Sequence, residues 1–295
     1  MTDRTFRFGV VGGQTGSARE WTAFARRVED AGFATLLCPD AFTVAAPFGA
    51  LSAAAAVTTT LRLGTFVLAT PLHPAASIAW DAASLDRLSD GRLELGLGAG
   101  RPTAAAEAEL LGVPFGTPGE RIAQLERTIR DVRGLLATAA GNAGAGGDQA
   151  MGPDSGLVPA QRPGPPILIA GRGPKILRLA ATEADIVSIA VSDEPSLADR
   201  VEWLRDYAGD RFDQLELNIN IFALGDEIAP WMTRMFNVDP RVARDNQDIR
   251  VLNGDLSTIV DTLRRRRDTY GISYVLVNSF AMEKMAPVVE RLAGT

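Results

Sequence analysis

The segment LRLGTFVLATPLHPAASIAWDAASLDRLSDGRLELGLGAG, residues 61–100, decides the fold. It begins with a strand-like stretch from Leu61 to Leu68, continues with a helical pattern from about Pro74 to Leu88, and ends with a second strand-like stretch from Leu93 to Gly98, in which glutamate alternates with leucine before a glycine cluster. Apolar strands on either side of a helix are typical of a βαβ unit, in which both strands are parallel and buried. The segment therefore predicts an α/β fold with a parallel sheet.

The same alternation continues toward both ends of the chain. The predicted strands are Phe6 to Val11, Thr35 to Pro39, Leu61 to Leu68, Leu93 to Gly98, Ile167 to Ala170, Ala184 to Ile189, Leu215 to Phe222 and Tyr274 to Val277. The predicted helices cover 17–28, 47–57, 74–88, 121–136, 174–183, 196–208 and 256–270. Eight strands that alternate with helices favour one (β/α)8 TIM barrel, formed by residues 1–295 as a single domain.

The glycines of VVGGQTG, residues 10–16, allow an alternative, a Rossmann sheet in which Asp40 would bind a ribose. Their spacing is not G-x-G-x-x-G. A doubly wound sheet would also leave the second four βα units unexplained, whereas a barrel uses all eight. The pattern therefore favours the barrel.

Two segments interrupt the alternation. Residues 137–166 are rich in Gly, Ala and Pro, which predicts a flexible excursion. Residues 223–254 form an extra segment after strand seven and hold Trp231, Met232, Met235 and Phe236. In a barrel this segment would follow a strand on the active face, so it is either a lid over an apolar ligand or a surface helix that packs its own aromatic residues.

Composition excludes several kinds of partner. The 295 residues are 46% hydrophobic and 22% charged, and no run approaches the roughly 18 apolar residues of a membrane span. A net charge of −6 argues against nucleic acid, which requires a basic surface. The basic run Arg264 to Arg267 is interpreted as a solvated face near a helix carboxyl end. We expect a cytoplasmic protein that acts on a small molecule.

The chain has one cysteine, Cys38, and one histidine, His73. A zinc site made of Cys and His ligands cannot be assembled from them, and an internal disulfide is excluded, so no metal site is predicted. Cys38 lies in the apolar run TLLCP and is predicted to be a buried structural thiol. Any catalysis by histidine must use His73.

Functional residues of a barrel are expected in the loops that follow its strands. Asp40 follows strand two, His73 follows strand three and Arg101 follows strand four, and these three are the candidate catalytic residues. Two of them have a structural alternative: Asp40 could cap a loop helix, and His73 could form a local hydrogen bond at a helix start.

Glycines cluster in the same loops, where they allow a flat ring or a phosphate to approach the backbone. GRGPK, residues 171–175, is either an anion site at a helix start or a turn with solvated cations.

Three blocks resemble the luciferase-like monooxygenase superfamily, and within it the oxidoreductases that use the deazaflavin coenzyme F420. They are ARRVEDAGFATLLCPDAF (25–42), the segment 61–100 quoted above, and PPILIAGRGPKILRLAATEADIVS (165–188). The pattern LDRLSxGRxELGLGxG in the middle block is specific to these barrels. The resemblance covers nearly the whole chain.

This resemblance implies a redox barrel that binds a deazaflavin or a flavin at its carboxyl face and forms a homodimer. It implies a non-proline cis peptide at Phe66–Val67. The implied cofactor-binding residues are Asp40, Phe66, Val67, Ala69, Gly98, Ala99, Gly100, Gly171, Arg172, Gly173 and Pro174. The expected reaction is hydride transfer between coenzyme F420 and a small organic substrate.

The chain departs from the family pattern at two positions. Relatives commonly have Asp-His after strand two, where this chain has Asp40-Ala41, and many have Trp or Glu where it has Arg101. These differences weaken any acid or base role carried over from the family. An FMN-dependent monooxygenase and a cofactor-free, non-redox member of the family therefore remain alternatives.

Overall fold

The structure, a computed structural model, describes residues 4–13, 16–142, 158–225 and 248–295. Its strands are β1 (Arg7–Val11), β2 (Thr35–Cys38), β3 (Arg62–Thr65), β4 (Leu68–Ala69), β5 (Leu93–Gly98), β6 (Ile167–Gly171), β7 (Ile186–Ile189), β8 (Glu216–Ile221), β9 (Ala223–Leu224), β10 (Val251–Leu252) and β11 (Ile272–Asn278). Its α-helices are α1 (Ala18–Asp30), α2 (Pro47–Ala55), α3 (Ala75–Leu88), α4 (Ala104–Leu111), α5 (Pro118–Asn142), α6 (Pro174–Glu183), α7 (Glu194–Ala208), α8 (Leu256–Tyr270) and α9 (Met282–Leu292). Strands and helices alternate, as the sequence predicts.

The main sheet has the order β3-β2-β1-β11-β8-β7-β6-β5-β4. β3 also pairs with β5 in parallel, and this pairing closes the sheet. The fold is therefore a (β/α)8 barrel, which confirms the predicted fold class. β9 and β10 pair with each other at the two ends of the extra segment after strand seven. Trp231, Met232, Met235 and Phe236, on which the lid prediction depends, lie outside the described residues.

The chain divides into two compact units. The first comprises residues 1–12, 27–36 and 170–295. In it, Arg7 on β1 forms an ion pair with Glu216 on β8 at 2.6 Å, although β11 lies between these two strands. The Arg7 guanidinium also lies 3.6 Å from the centroid of the Tyr274 ring on β11. Side chains can meet across an intervening strand on a concave face, so Arg7 and Glu216 point to the inside of the curved sheet.

The second unit comprises residues 13–26 and 37–169. Here β3 and β5 approach so closely that a Cβ on Gly96 would lie 1.9 Å from the carbonyl oxygen of Thr65. The Thr65 hydroxyl accepts a hydrogen bond from the Gly96 N–H and donates one to the Gly96 carbonyl, both at 2.8 Å. Position 96 therefore requires glycine for the two strands to pair as they do.

Strand three is shorter than predicted. The predicted run from Leu61 to Leu68 is divided into β3 and β4 by Phe66 and Val67, and the peptide between these two residues is cis. The non-proline cis peptide implied by the family resemblance is thus confirmed at its expected position.

Two helices, α4 and α9, were not predicted, and α5 is longer than predicted. α4 was not predicted, because its alanine-rich sequence follows a glycine cluster and lacks an apolar stripe. α5 continues to Asn142, six residues beyond the predicted end at Leu136, so the predicted excursion from 137 begins too early. Ala139 continues the buried face of Val132 and Leu136, so the helix extends past its predicted end.

Other predictions concern single residues. The capping box of α1 is confirmed, since the Ser17 N–H donates to the Glu20 carboxylate at 2.6 Å and the Glu20 N–H donates back to the Ser17 hydroxyl at 3.3 Å. Cys38 is buried, and burial raises the pKa of its thiol. The interpretation of Arg264 to Arg267 as a solvated face is wrong for Arg266, which is 5% exposed and donates to the Ile249 carbonyl at 3.0 Å.

Candidate active site

Asp40 lies just beyond the carboxyl end of β2 and is 5% exposed. Its Oδ2 atom accepts a hydrogen bond from the Ala69 N–H at 2.9 Å and lies 2.9 Å from Nε2 of His73. A buried carboxylate needs such partners, because an isolated buried charge is costly. Asp40 therefore joins the ends of β2 and β4 and does not cap a loop helix.

His73 is placed by the turn between β4 and α3. Thr70–Leu72 form a short 3-10 helix, and Pro74 is the N-cap of α3, so the backbone of His73 lies between two helical segments. Its partner Asp40 is 33 residues away, and the hydrogen bond is not the local one of the structural alternative. A carboxylate only accepts hydrogen bonds, so the ring donates from Nε2 and Nδ1 is left for another partner. The side chain is 31% exposed and can reach a ligand.

Arg101 lies against the same turn. It donates to the backbone carbonyl of Asp40 at 2.9 Å, to the Thr103 hydroxyl at 2.7 Å and to Oε1 of Glu107 at 2.8 Å. Its side chain is 48% exposed. Arg101 thus fixes the backbone that carries Asp40 and also keeps a solvent-facing charge.

The glycines after β5 hold the strand end against the cis peptide. A Cβ on Gly98 would lie 2.6 Å from a methyl carbon of Val67, and Gly100 has a φ of +76°. The Gly98 carbonyl accepts from the Thr70 hydroxyl at 3.1 Å. These contacts bring the predicted residues of strands three and four together in the second unit.

Two residues of this region were missed by the sequence analysis. Glu107, on α4, binds Arg101 and also accepts from the Phe42 N–H at 3.3 Å. Arg121, at the start of α5, donates to the Ala99 carbonyl at 3.0 Å. Neither follows a strand, so the rule that strand ends carry function does not find them.

A second carboxyl group lies in the electrostatic neighbourhood of His73. Burial raises the pKa of Asp81, on α3, and the charge of His73 lowers it part of the way back.

The glycine-rich segment after β6 belongs to the first unit. Gly171 ends β6, Gly173 is the N-cap of α6, and Pro174 is its first residue. No side chain caps the free backbone amides of this helix, and a Cβ on Gly173 would meet nothing within 4 Å. The Arg172 side chain is exposed. An uncapped helix start with open space and a nearby cation is suited to an anion.

Among the described residues, no group of three or more His, Cys, Asp or Glu side chains could hold a metal ion. Within the same ranges, every helix is too short or too polar to cross a bilayer.

A family model described as luciferase-like monooxygenase matches residues 5–226. Uncharacterized proteins of Mycobacterium tuberculosis and Mycobacterium bovis are 37% identical to the chain over 161 residues, which is 54% of this chain and 53% of theirs. The chain thus spans about half the length of the curated relatives it matches.

Solved structures resemble the chain over nearly all of its length. The coenzyme F420-dependent tetrahydromethanopterin reductase of Methanopyrus kandleri has a TM-score of 0.72 and 17% identity, with 98% of this chain and 99% of that chain covered. A riboflavin lyase, solved with modified FMN and its substrate riboflavin, has a TM-score of 0.75 and 16% identity, with 99% and 93% covered. Because the sequence identities are this low, the comparison shows a shared fold and does not show a shared activity.

Proposed function

Because the chain belongs to the luciferase-like monooxygenase family, we propose that it is an oxidoreductase that transfers a hydride between coenzyme F420 and a small organic substrate. The observation that carries this proposal is the Asp40–His73 hydrogen bond at the strand ends beside the cis peptide Phe66–Val67. This part of the barrel combines an imidazole held by a hydrogen bond, His73, with the closely packed, glycine-rich backbone at the ends of β4 and β5. The likeness of the fold to an F420-dependent reductase supports it.

The residues of the second unit fit a flat redox cofactor. Gly98, Ala99 and Gly100 present backbone with little or no side chain, and Phe66, Val67 and Ala69 present the backbone on either side of the cis peptide. We propose that these residues line the cofactor ring. When bound, the deazaflavin supplies the hydride chemistry at its C5 carbon.

The chain's own residues would supply orientation and a proton. Asp40 holds the His73 ring through Nε2, which fixes the direction of Nδ1. A ring held in one orientation can accept or donate a proton at Nδ1 without losing conformational entropy during the reaction. His73 would thereby replace the histidine that relatives have at the position of Ala41.

We further propose that residues 171–174 bind a phosphate of the cofactor. The free amides at the start of α6 and the exposed side chains of Arg172 and Lys175 provide hydrogen-bond donors and positive charge. Changing both Arg172 and Lys175 to Ala should weaken binding of the intact cofactor but leave binding of its phosphate-free deazaflavin core unchanged. An equal loss for both compounds would contradict this assignment.

Titration of the purified protein with coenzyme F420, followed by absorbance and fluorescence, tests the proposed function. Saturable binding is expected, and it should weaken in Asp40→Ala. The matched control is Asp131→Ala, which removes an exposed carboxylate on α5. Absence of binding at about 50 µM coenzyme would contradict the proposal.

An FMN-dependent monooxygenase is the second candidate, and the fold's likeness to an enzyme solved with modified FMN favours it. In that case reduced FMN should bind and the protein should consume oxygen when a flavin reductase is supplied. Oxygen consumption with reduced FMN but no binding of coenzyme F420 would replace the first proposal with the second.

We also propose a homodimer, which light scattering should detect as twice the 31.3 kDa chain mass.

A further inference from the structure

We propose that Glu107 is a positioning residue that holds the Asp40–His73 pair through Arg101. Glu107 is not placed to react; it supports both members of the pair from α4, a helix that the sequence did not predict. The importance of this support for catalysis rests on the proposed function, whereas the support itself can be measured in the free protein.

The first support reaches Asp40. Oε1 of Glu107 accepts from Arg101 at 2.8 Å and from the Phe42 N–H at 3.3 Å. Arg101 in turn donates to the Asp40 carbonyl at 2.9 Å. The backbone from Asp40 to Phe42 is therefore held at both ends by a single carboxylate, once directly and once through a guanidinium.

The second support reaches His73. Ala104 and Ala108 of α4 are buried against Ala69 and Leu72, which lie at the start and end of the turn before His73. Glu107 is three residues after Ala104 and one before Ala108, so all three lie on one side of the helix. The helix face that carries Glu107 thus also packs against the segment that carries His73.

The burial of Glu107 indicates that its charge has a role. Its side chain is only 12% exposed, and its Oε2 atom is buried without a hydrogen-bond partner. An unsatisfied buried oxygen is costly, and an apolar residue would avoid this cost. An apolar residue at position 107 would lose the hydrogen bonds that Oε1 accepts from Arg101 and from the Phe42 N–H.

His73 provides a direct readout, because it is the chain's one histidine and gives one set of imidazole signals in nuclear magnetic resonance spectra. We expect Glu107→Ala to increase the exchange of the Nε2 proton with water about fivefold, as expected for roughly 1 kcal/mol of lost support. Glu107→Gln should restore part of the protection, since an amide oxygen still accepts from Arg101. The matched control is Glu109→Ala, which removes an exposed glutamate of the same helix. Circular dichroism and thermal melts would show that each variant is folded, and Glu107→Gln decides the test if Glu107→Ala does not fold.

A double-mutant cycle tests whether the effect passes through Arg101. In an Arg101→Ala background, Glu107→Ala should change the exchange rate by a smaller factor than in the original protein, because the path through Arg101 is already broken and only the Phe42 N–H contact at 3.3 Å remains to be lost. Additive effects, or unchanged exchange in both Glu107 variants, would overturn the inference. The readout needs no cofactor, so failure of coenzyme F420 to bind would reject the proposed function and leave this inference standing.

Discussion

At the residue scale, the Asp40–His73 hydrogen bond determines how reactive the imidazole is. His73 is 31% exposed, so diethyl pyrocarbonate can reach it. In Asp40→Ala the His73 ring loses its hydrogen bond to Oδ2 and is no longer held in one orientation. We expect carbethoxylation of His73 to become about fivefold faster, in line with the loss of one hydrogen bond worth roughly 1 kcal/mol. Bound coenzyme should slow the reaction in the unmodified protein; equal rates with and without coenzyme would argue against His73 as part of the site.

A second prediction at this scale concerns Asp81, whose pKa is raised chiefly by burial. When the pKa of an acid is higher in the folded state, its ionised form destabilises the fold. This cost disappears when the pH falls below 3.8, the pKa of Asp81 in the unfolded chain, because the carboxyl group is then protonated in both states. Asp81→Asn should therefore increase the free energy of unfolding at neutral pH and leave it unchanged in acid. Urea titrations at both pH values measure this, with Asp131→Asn as the exposed control. A gain of the same size at both pH values would contradict the assignment.

The sequence located the candidate residues but not their contacts. Asp40, His73 and Arg101 were found because each follows a strand, and the carboxyl ends of parallel strands meet at one edge. Their hydrogen bonds join residues that are 33 and 61 positions apart, and only the folded chain brings these together. Glu107 was missed for a related reason: its partners come from the loops after β2 and β5, which no local pattern connects to α4.

At the element scale, Glu194 links α7 to α8. It forms an ion pair with Arg265 and accepts from the Tyr270 hydroxyl at 3.1 Å, and the Arg265 hydrogen bond is the main cause that lowers the pKa of Glu194. Because the pKa of Glu194 is lower in the folded state, its ionised carboxylate stabilises the fold at pH values above 4.5, its pKa in the unfolded chain. This contribution is lost as the pH falls through the lower pKa of the folded state. Glu194→Gln should cost less than about 1 kcal/mol at neutral pH, because both side chains are partly exposed, and nothing in strong acid.

Urea unfolding of Glu194→Gln at neutral and strongly acidic pH measures this difference. Glu202→Gln is the control, since it removes an exposed carboxylate from the same helix. The ion-pair interpretation would be wrong if the two variants lost the same stability at neutral pH.

Element boundaries show where sequence patterns suffice. Strands β2 and β5 were predicted to within one residue: β2 is an apolar run, and in β5 leucines alternate with Glu94 and glycines before a glycine cluster. The third strand was predicted as one run, since Phe66 and Val67 are as apolar as a strand and only the backbone interrupts it. α5 was predicted six residues too short at its carboxyl end, because ATAAGN opens a stretch rich in Gly and Ala and ends in two poor helix formers, Gly141 and Asn142.

At the scale of the whole molecule, closure of the sheet depends on Gly96, where β5 meets β3. A Cβ there would lie 1.9 Å from the Thr65 carbonyl oxygen, a backbone atom that cannot move without breaking the pairing. Gly96→Ala should therefore lower the free energy of unfolding by about 3 kcal/mol. Gly134→Ala is the matched control, since a Cβ on this residue of α5 would meet nothing within 4 Å and alanine favours a helix by about 1 kcal/mol. Guanidinium titrations should therefore move the two midpoints in opposite directions, and a Gly96→Ala protein as stable as the original would show that closure tolerates a wider gap between β3 and β5.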